Sequence, residues 1–153
     1  IGEKYILLGK QAAGKKLAGF RNGYGGKCEE GETTLECAKR EMWEELGKEF
    51  VEGNGAKISP EIKYFGKLFM DEKQVDFFVA EATEKFLPPP DNNEFIDTKW
   101  FSLGNTDEFL GEMLSGDEKI SSALNNFLEN GENFEINKTG DKLLENQVRN
   151  IYK

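Results

Sequence analysis

GKCEEGETTLECAKREMWEELG, residues 26–47, is the stretch on which the reading of this chain turns. Thr33 and Glu36 have the spacing of a capping box, and Gly47 supplies a stop, so a helix is predicted over Thr33–Leu46. Its expected inner face is Leu35, Ala38, Met42 and Leu46, at helical spacing. On the same helix Glu41, Glu44 and Glu45 fall at i, i+3 and i+4, which crowds carboxylates on one face. Like charges at these spacings cost about 0.2–0.5 kcal/mol per pair. A generic Glu-rich helix simply turns such a face to solvent, and three features weigh against that here. Gly23, Gly25 and Gly26 form a glycine-rich turn through which backbone carbonyls can approach a ligand. Arg40 is a fork able to hold a carboxylate such as Glu32. Hard Mg²⁺ or Mn²⁺ prefers clustered oxygen ligands plus substrate phosphates, and would offset the repulsion.

Outward from this stretch the chain alternates strand and helix signals without repeat, low-complexity tract or linker. KYILLGK (residues 4–10) reads as a strand, and the Gly- and Lys-rich QAAGKKLAGFRNGYGGK (11–27) as a loop. EIKYFGKLFM (61–70) and QVDFFVAEA (74–82) flank a charged link and predict a hairpin. PPPDNN (88–93) reads as a loop and DTKWFSL (97–103) as a strand. NTDEFLGEML (105–114) and DEKISSALNNFLEN (117–130) look helical, and NFEIN (133–137) is a late strand. Interspersed elements without regular βαβ repetition predict an α/β (α+β) fold, a mixed sheet with helices packed on it, in a single domain over 1–153.

Composition narrows the chemistry. The 153 residues include 20 basic and 29 acidic side chains, for a net charge of −9. That argues against a nucleic-acid polymer as partner, because backbone binding relies on Lys and Arg meeting phosphates. Small phosphorylated ligands remain open, since a bound divalent cation inverts the local field. There is no histidine, which removes Ser-His-Asp, Cys-His and His-zinc chemistry. Cys28 and Cys37 are too few for a disulfide scaffold and fit a reducing compartment. No apolar run approaches a membrane span and no signal peptide pattern is visible, so a cytoplasmic protein is expected. The chain opens with Ile1, which suggests a trimmed or partial sequence.

GKQAAGKK (residues 9–16) nearly spells a phosphate-binding P-loop, but Lys16 stands where a hydroxyl must hold Mg²⁺. It reads better as a basic loop. The longer stretch is the informative one: Gly26, Glu32, then Arg40, Glu41, Glu44, Glu45 and Gly47 resemble the Nudix box at every charged and glycine position, departing only at Lys48, where an aliphatic residue is usual. The resemblance implies an α/β/α sandwich whose loop-helix-loop motif binds metal and hydrolyses a nucleoside diphosphate linkage. It implies metal ligation by Glu41, Glu45 and the Gly26 carbonyl, with Glu44 a ligand or a base. It further implies an orienting Arg40–Glu32 ion pair, structural support from Gly47, and Lys27 near a phosphate. Mg²⁺, or Mn²⁺, would neutralise phosphate charge and template the attack while a carboxylate takes the proton from water. Without histidine that base must be a carboxylate, and Glu44, Glu45 and Glu94 all stay open.

Within the family, FRNGYGGKCEEGET (20–33) and NNEFIDTKWF (92–101) resemble the MutT-type branch that hydrolyses oxidised purine nucleoside triphosphates, 8-oxo-dGTP-like substrates, to monophosphate and pyrophosphate. On that likeness Glu94 is an additional ligand or base, or else a solvated loop residue. Asn22 reads the purine edge, and Asp117 and Glu118 fall near an acidic base-reading pair, although Asp117 also suits a helix N-cap. Leu114 stands where the branch stacks a Trp, and a strand preceding ILLG in the branch is expected to be missing here. Tyr64 lies near a tyrosine associated with dinucleoside polyphosphate hydrolases, a competing reading. A third is a non-catalytic nucleotide-binding module, against which intact Glu41, Glu44 and Glu45 speak. The expected partner is a nucleotide, with no membrane, on a monomer or homodimer.

Overall fold

The computed structural model describes residues 3–11, 21–22, 24–47, 55–70, 73–87, 95–105, 117–136 and 143–152. PPPDNN, Glu94, TDEFLGEML (106–114) with Leu114, Gly23, Lys48 and most of the P-loop-like stretch lie outside the described residues. In chain order the elements are β1 (Tyr5–Gln11), β2 (Arg21–Asn22), β3 (Tyr24–Lys27), α1 (Thr34–Leu46), β4 (Ile58–Met70), β5 (Lys73–Ala82), β6 (Phe95–Ser102), α2 (Asp117–Asn130), β7 (Phe134–Ile136) and β8 (Leu143–Tyr152). The strands form one mixed sheet in the order β2-β1-β8-β5-β4-β7, with β3 on β8 and β6 on β1. β8 runs parallel to β5 and antiparallel to β1 and β3; β7 runs parallel to β4.

Alternation along the strands sorts the core into two faces. Leu7, Phe78 and Ala80 meet Ala38, Met42 and Leu46 of α1 on one face. Ile6, Leu8, Phe77, Val79 and Ile151 meet Ile120 and Leu124 of α2 on the other. The result is the predicted mixed-sheet sandwich. The β4–β5 hairpin is in register from Met70↔Lys73 onward. Its bulge at Tyr64/Gly66 passes under an aromatic cluster in which Phe65, Phe77 and Phe134 centroids lie 5.5–5.8 Å apart. Gly66 is required there: a Cβ would run into the Phe134 ring.

Three expectations need correction. The Gly-rich stretch before residue 28 is not all loop: β2 pairs with β1, and β3 pairs with β8 through Tyr24↔Val148 to Lys27↔Glu145. β8 was not anticipated at all, yet it lies between β1/β3 and β5 in the middle of the sheet. Leu35 is 38% exposed rather than inward. The Thr34 hydroxyl, one position earlier, donates to Asp76 of β5 at 2.7 Å. With Thr34 turned to the sheet, Leu35 is rotated off that face by the helical step, and Cys37 joins the buried stripe instead.

Candidate active site on the acidic helix

The first turn of α1 is held locally and by the sheet. Thr33 Oγ1 accepts from the Glu36 N–H and Glu36 Oε1 accepts from the Thr33 N–H, both at 3.1 Å, completing the capping box. Asp76 receives Thr34 Oγ1–H and, at 2.8 Å, the Gln74 amide. Gly47, at φ +99, closes the helix with its N–H on the Trp43 carbonyl. These ties fix the rotation of α1, and therefore where its acids project.

Arg40 is the centre of the site. Its Nε donates to Glu32 Oε2 at 2.8 Å and its Nη2 to Glu32 Oε1 at 3.0 Å, the two-pronged clasp that guanidinium geometry favours. Nη2 also donates to the Lys27 carbonyl at the end of β3, at 3.1 Å. Nη1 reaches Glu41 at 3.1 Å and Glu44 at 3.3 Å. One side chain thus ties the β3–α1 loop to the helix and relieves part of the repulsion among the glutamates. The Glu32 carboxyl is held below the usual carboxylate range, first by the Arg40 hydrogen bond and then by the Glu29 N–H; Arg40 is correspondingly raised.

The acids are graded by exposure. Glu44 is 58% exposed and Glu41 is 12% exposed, while one Glu45 carboxylate oxygen is shut off from solvent. Glu44 and Glu45 also stand in the last helical turn, which has no basic residue. Anions there oppose the helix dipole at a cost of about 0.3–1 kcal/mol each. A cation nearby would offset both penalties. The three carboxylates are hard oxygens of the kind Mg²⁺ prefers, but their oxygens do not gather on one point: among the described residues the group of acidic and sulfur ligands that lies within 4.8 Å of one another is Cys28, Glu32 and Cys37.

The other site residues predicted from sequence fall as follows. The Lys27 side chain is exposed at the same end of β3. Asn22 lies on β2, opposite Gly9. Asp117 and Glu118 lie on α2. Tyr64 is partly buried and packs edge-on against Phe78, with centroids 5.8 Å apart, at the margin of the core under α1. Burial, then the charge of Asp76, raises its hydroxyl pKa. A cavity of about 220 Å³ lies on the α2 face, between Ser59, Glu81, Phe127 and Ile151, away from the acidic helix.

Sequence reasoning missed two features. Asp76 anchors α1, and its signal was a carboxylate inside an otherwise apolar strand. Cys28 and Cys37, read from their number as fitting a reducing compartment, are joined in a disulfide with Cα atoms 5.2 Å apart. Closing a loop across a separation of nine residues restricts the unfolded chain by about 3 kcal/mol in the chain-entropy account.

Among the described residues no helix is long and apolar enough to cross a membrane. A family model described as NUDIX domain matches residues 1–124. An isopentenyl-diphosphate Delta-isomerase of Cereibacter sphaeroides is 33% identical over 76 residues, 48% of this chain and 41% of that protein. The chain therefore spans less than half the length of that relative.

Proposed function

Because this chain belongs to the NUDIX family, whose hydrolases act on nucleotide-like diphosphates with divalent metals, we propose that it hydrolyses nucleoside triphosphates to monophosphate and pyrophosphate. The observation that carries the reading is the Arg40 clasp, which joins Glu32, the Lys27 carbonyl, Glu41 and Glu44 in one network beside Gly26. Glu41, Glu45 and the Gly26 carbonyl would hold Mg²⁺, or Mn²⁺ in its place. When bound, the ion neutralises phosphate charge and polarises the scissile linkage. Arg40 keeps the carboxylates oriented through both substrate-free and substrate-bound states, and Lys27 meets a phosphate oxygen. A water proton passes to a carboxylate, Glu44, Glu45 or Glu94, as the water oxygen bonds to phosphorus and pyrophosphate departs. Of Glu41, Glu44 and Glu45, Glu44 is the most open to solvent, from which the attacking water must come.

An oxidised purine triphosphate is the substrate class we favour. The support is sequence likeness around FRNGYGGKCEEGET, with Asn22, Asp117 and Glu118 as base readers. A second reading, a diphosphate substrate isomerised without loss of phosphate, is favoured by the partial likeness to the isopentenyl-diphosphate isomerase. The dinucleoside polyphosphate reading rests on Tyr64, which packs on Phe78 with part of its surface open.

The test is product analysis with Mg²⁺ across normal and 8-oxo purine triphosphates, dinucleoside polyphosphates and isopentenyl diphosphate. Pyrophosphate release fastest from an 8-oxo purine triphosphate is the expected result. Conversion of isopentenyl diphosphate without phosphate release would replace hydrolysis by isomerisation. Nucleotide binding with no turnover of any substrate would make the domain a binding module.

A further inference from the structure

We propose that Cys28 and Cys37 are a redox-active pair that sets how tightly the β3–α1 loop is held on the acidic helix. The disulfide lies inside the Arg40 network. Cys28 directly follows Lys27, whose carbonyl accepts from Arg40 Nη2, and the same nitrogen lies 3.9 Å from Cys37 Sγ. A Glu32 carboxylate oxygen and both sulfurs fall within 4.8 Å of one another. The guanidinium, the carboxylate that orients it and the covalent strap therefore form one cluster, and opening the strap changes the packing around the Arg40–Glu32 clasp.

The two sulfurs differ in access. Cys37 is fully buried, whereas Cys28 is partly exposed at the loop. A thiolate from a small-molecule thiol or a dithiol protein attacks Cys28 Sγ, forms a mixed disulfide there and expels the Cys37 sulfur, whose negative charge Arg40 stabilises before it takes a proton. A second thiol then attacks the mixed disulfide, releasing the Cys28 thiol and an oxidised reductant. Two electrons and two protons pass to the protein. What remains on the loop is the Arg40 clasp and the β3–β8 pairing, so the reduced loop stays docked but gains freedom. Opening the strap is thus a graded control on the Gly26–Lys27 backbone, where the metal and phosphate are to be held.

The thiol chemistry is independent of the hydrolase reading, on which only its effect on turnover rests. The intact chain would be equilibrated in glutathione buffers of graded potential, trapped with iodoacetamide and mapped by mass spectrometry. Amide exchange over residues 24–32 and Mn²⁺ affinity would be measured at both ends of the series. Both thiols should appear in one transition, exchange in that segment should speed up on reduction, and Mn²⁺ should bind about tenfold more weakly, the lower end of what losing an outer-shell contact costs. Cys28→Ser should show the reduced behaviour in every buffer, without a packing defect at buried Cys37. Alkylation of both cysteines throughout the oxidising range would overturn the proposal. So would a clean thiol transition with unchanged exchange and unchanged Mn²⁺ affinity. Loss of turnover in both states, with the thiol and Mn²⁺ responses present, would tell against hydrolysis and leave the redox pair standing.

Discussion

Replacing Thr34 by Val tests whether the sheet sets the position of the acidic helix. The change preserves the branched shape and removes one hydroxyl, which donates to Asp76 Oδ2 at 2.7 Å. Asp76 is only 9% exposed, so water cannot freely replace that donor, although Gln74 continues to serve Oδ1. A hydrogen bond to a charged group in such a setting contributes about 2 kcal/mol. With an unfolding entropy of about 2.1 cal/mol/K per residue, the 153-residue chain loses about 0.3 kcal/mol of stability per degree near Tm. The variant should therefore melt about 6 °C lower by circular dichroism or calorimetry. Thr34→Ser keeps the hydroxyl and should recover most of the loss. Well below the transition, turnover should fall as well, because the lost tie helps fix where Glu41, Glu44 and Glu45 of α1 project. A fall of less than about 2 °C, or equal falls for Val and Ser, would refute the anchoring role.

Glu44→Gln and Glu45→Gln should each lower turnover at least about a hundredfold while leaving Tm near wild type; wild-type rates in both would remove the acids from the chemistry. Met42→Ala empties a fully buried site under α1 and should cost about 2–5 kcal/mol in urea unfolding, with a smaller loss meaning that the helix resettles on the sheet. Gly66→Ala drives a methyl into the Phe134 ring and should destabilise the chain clearly, and Phe134→Ala in the same chain should relieve most of it. Because the Glu32 carboxyl lies below its ordinary value of about 4.5 when folded, its contribution is complete above that value and disappears as pH falls through the lowered one. Urea unfolding between pH 3 and 7 should show that acid loss in the wild type and less of it in Glu32→Gln; identical profiles would mean the clasp does not survive in solution.

Much of the site was legible because its contacts are short in sequence. The capping box and Gly47 stop define α1 from within, and the eight-residue spacing from Glu32 to Arg40 lets a loop and one helical turn bring the clasp together. The β4–β5 hairpin was legible for the same reason. What local pattern did not reveal is what distant strands decide. β8 carries Glu, Asn, Gln and Arg in LLENQVRNIY and shows no sustained alternation of apolar and polar residues, yet Arg149 is 2% exposed and Asn150 is fully buried. Nothing local rewards that burial. It follows from parallel pairing with β5 about seventy residues earlier in the chain, and Arg149 is accommodated over the Phe77 ring at 5.6 Å. β3 likewise becomes a strand only because β8 offers an edge to its glycines. The inward turn of Thr34 rather than Leu35 depends on a carboxylate on β5, and the Cys28–Cys37 strap on how closely loop and helix approach. The sequence by itself determined the capped helix and the spacing of the arginine and acids along it. Its orientation on the sheet came from tertiary contacts, because a helix's rotation about its own axis is set by what it packs against.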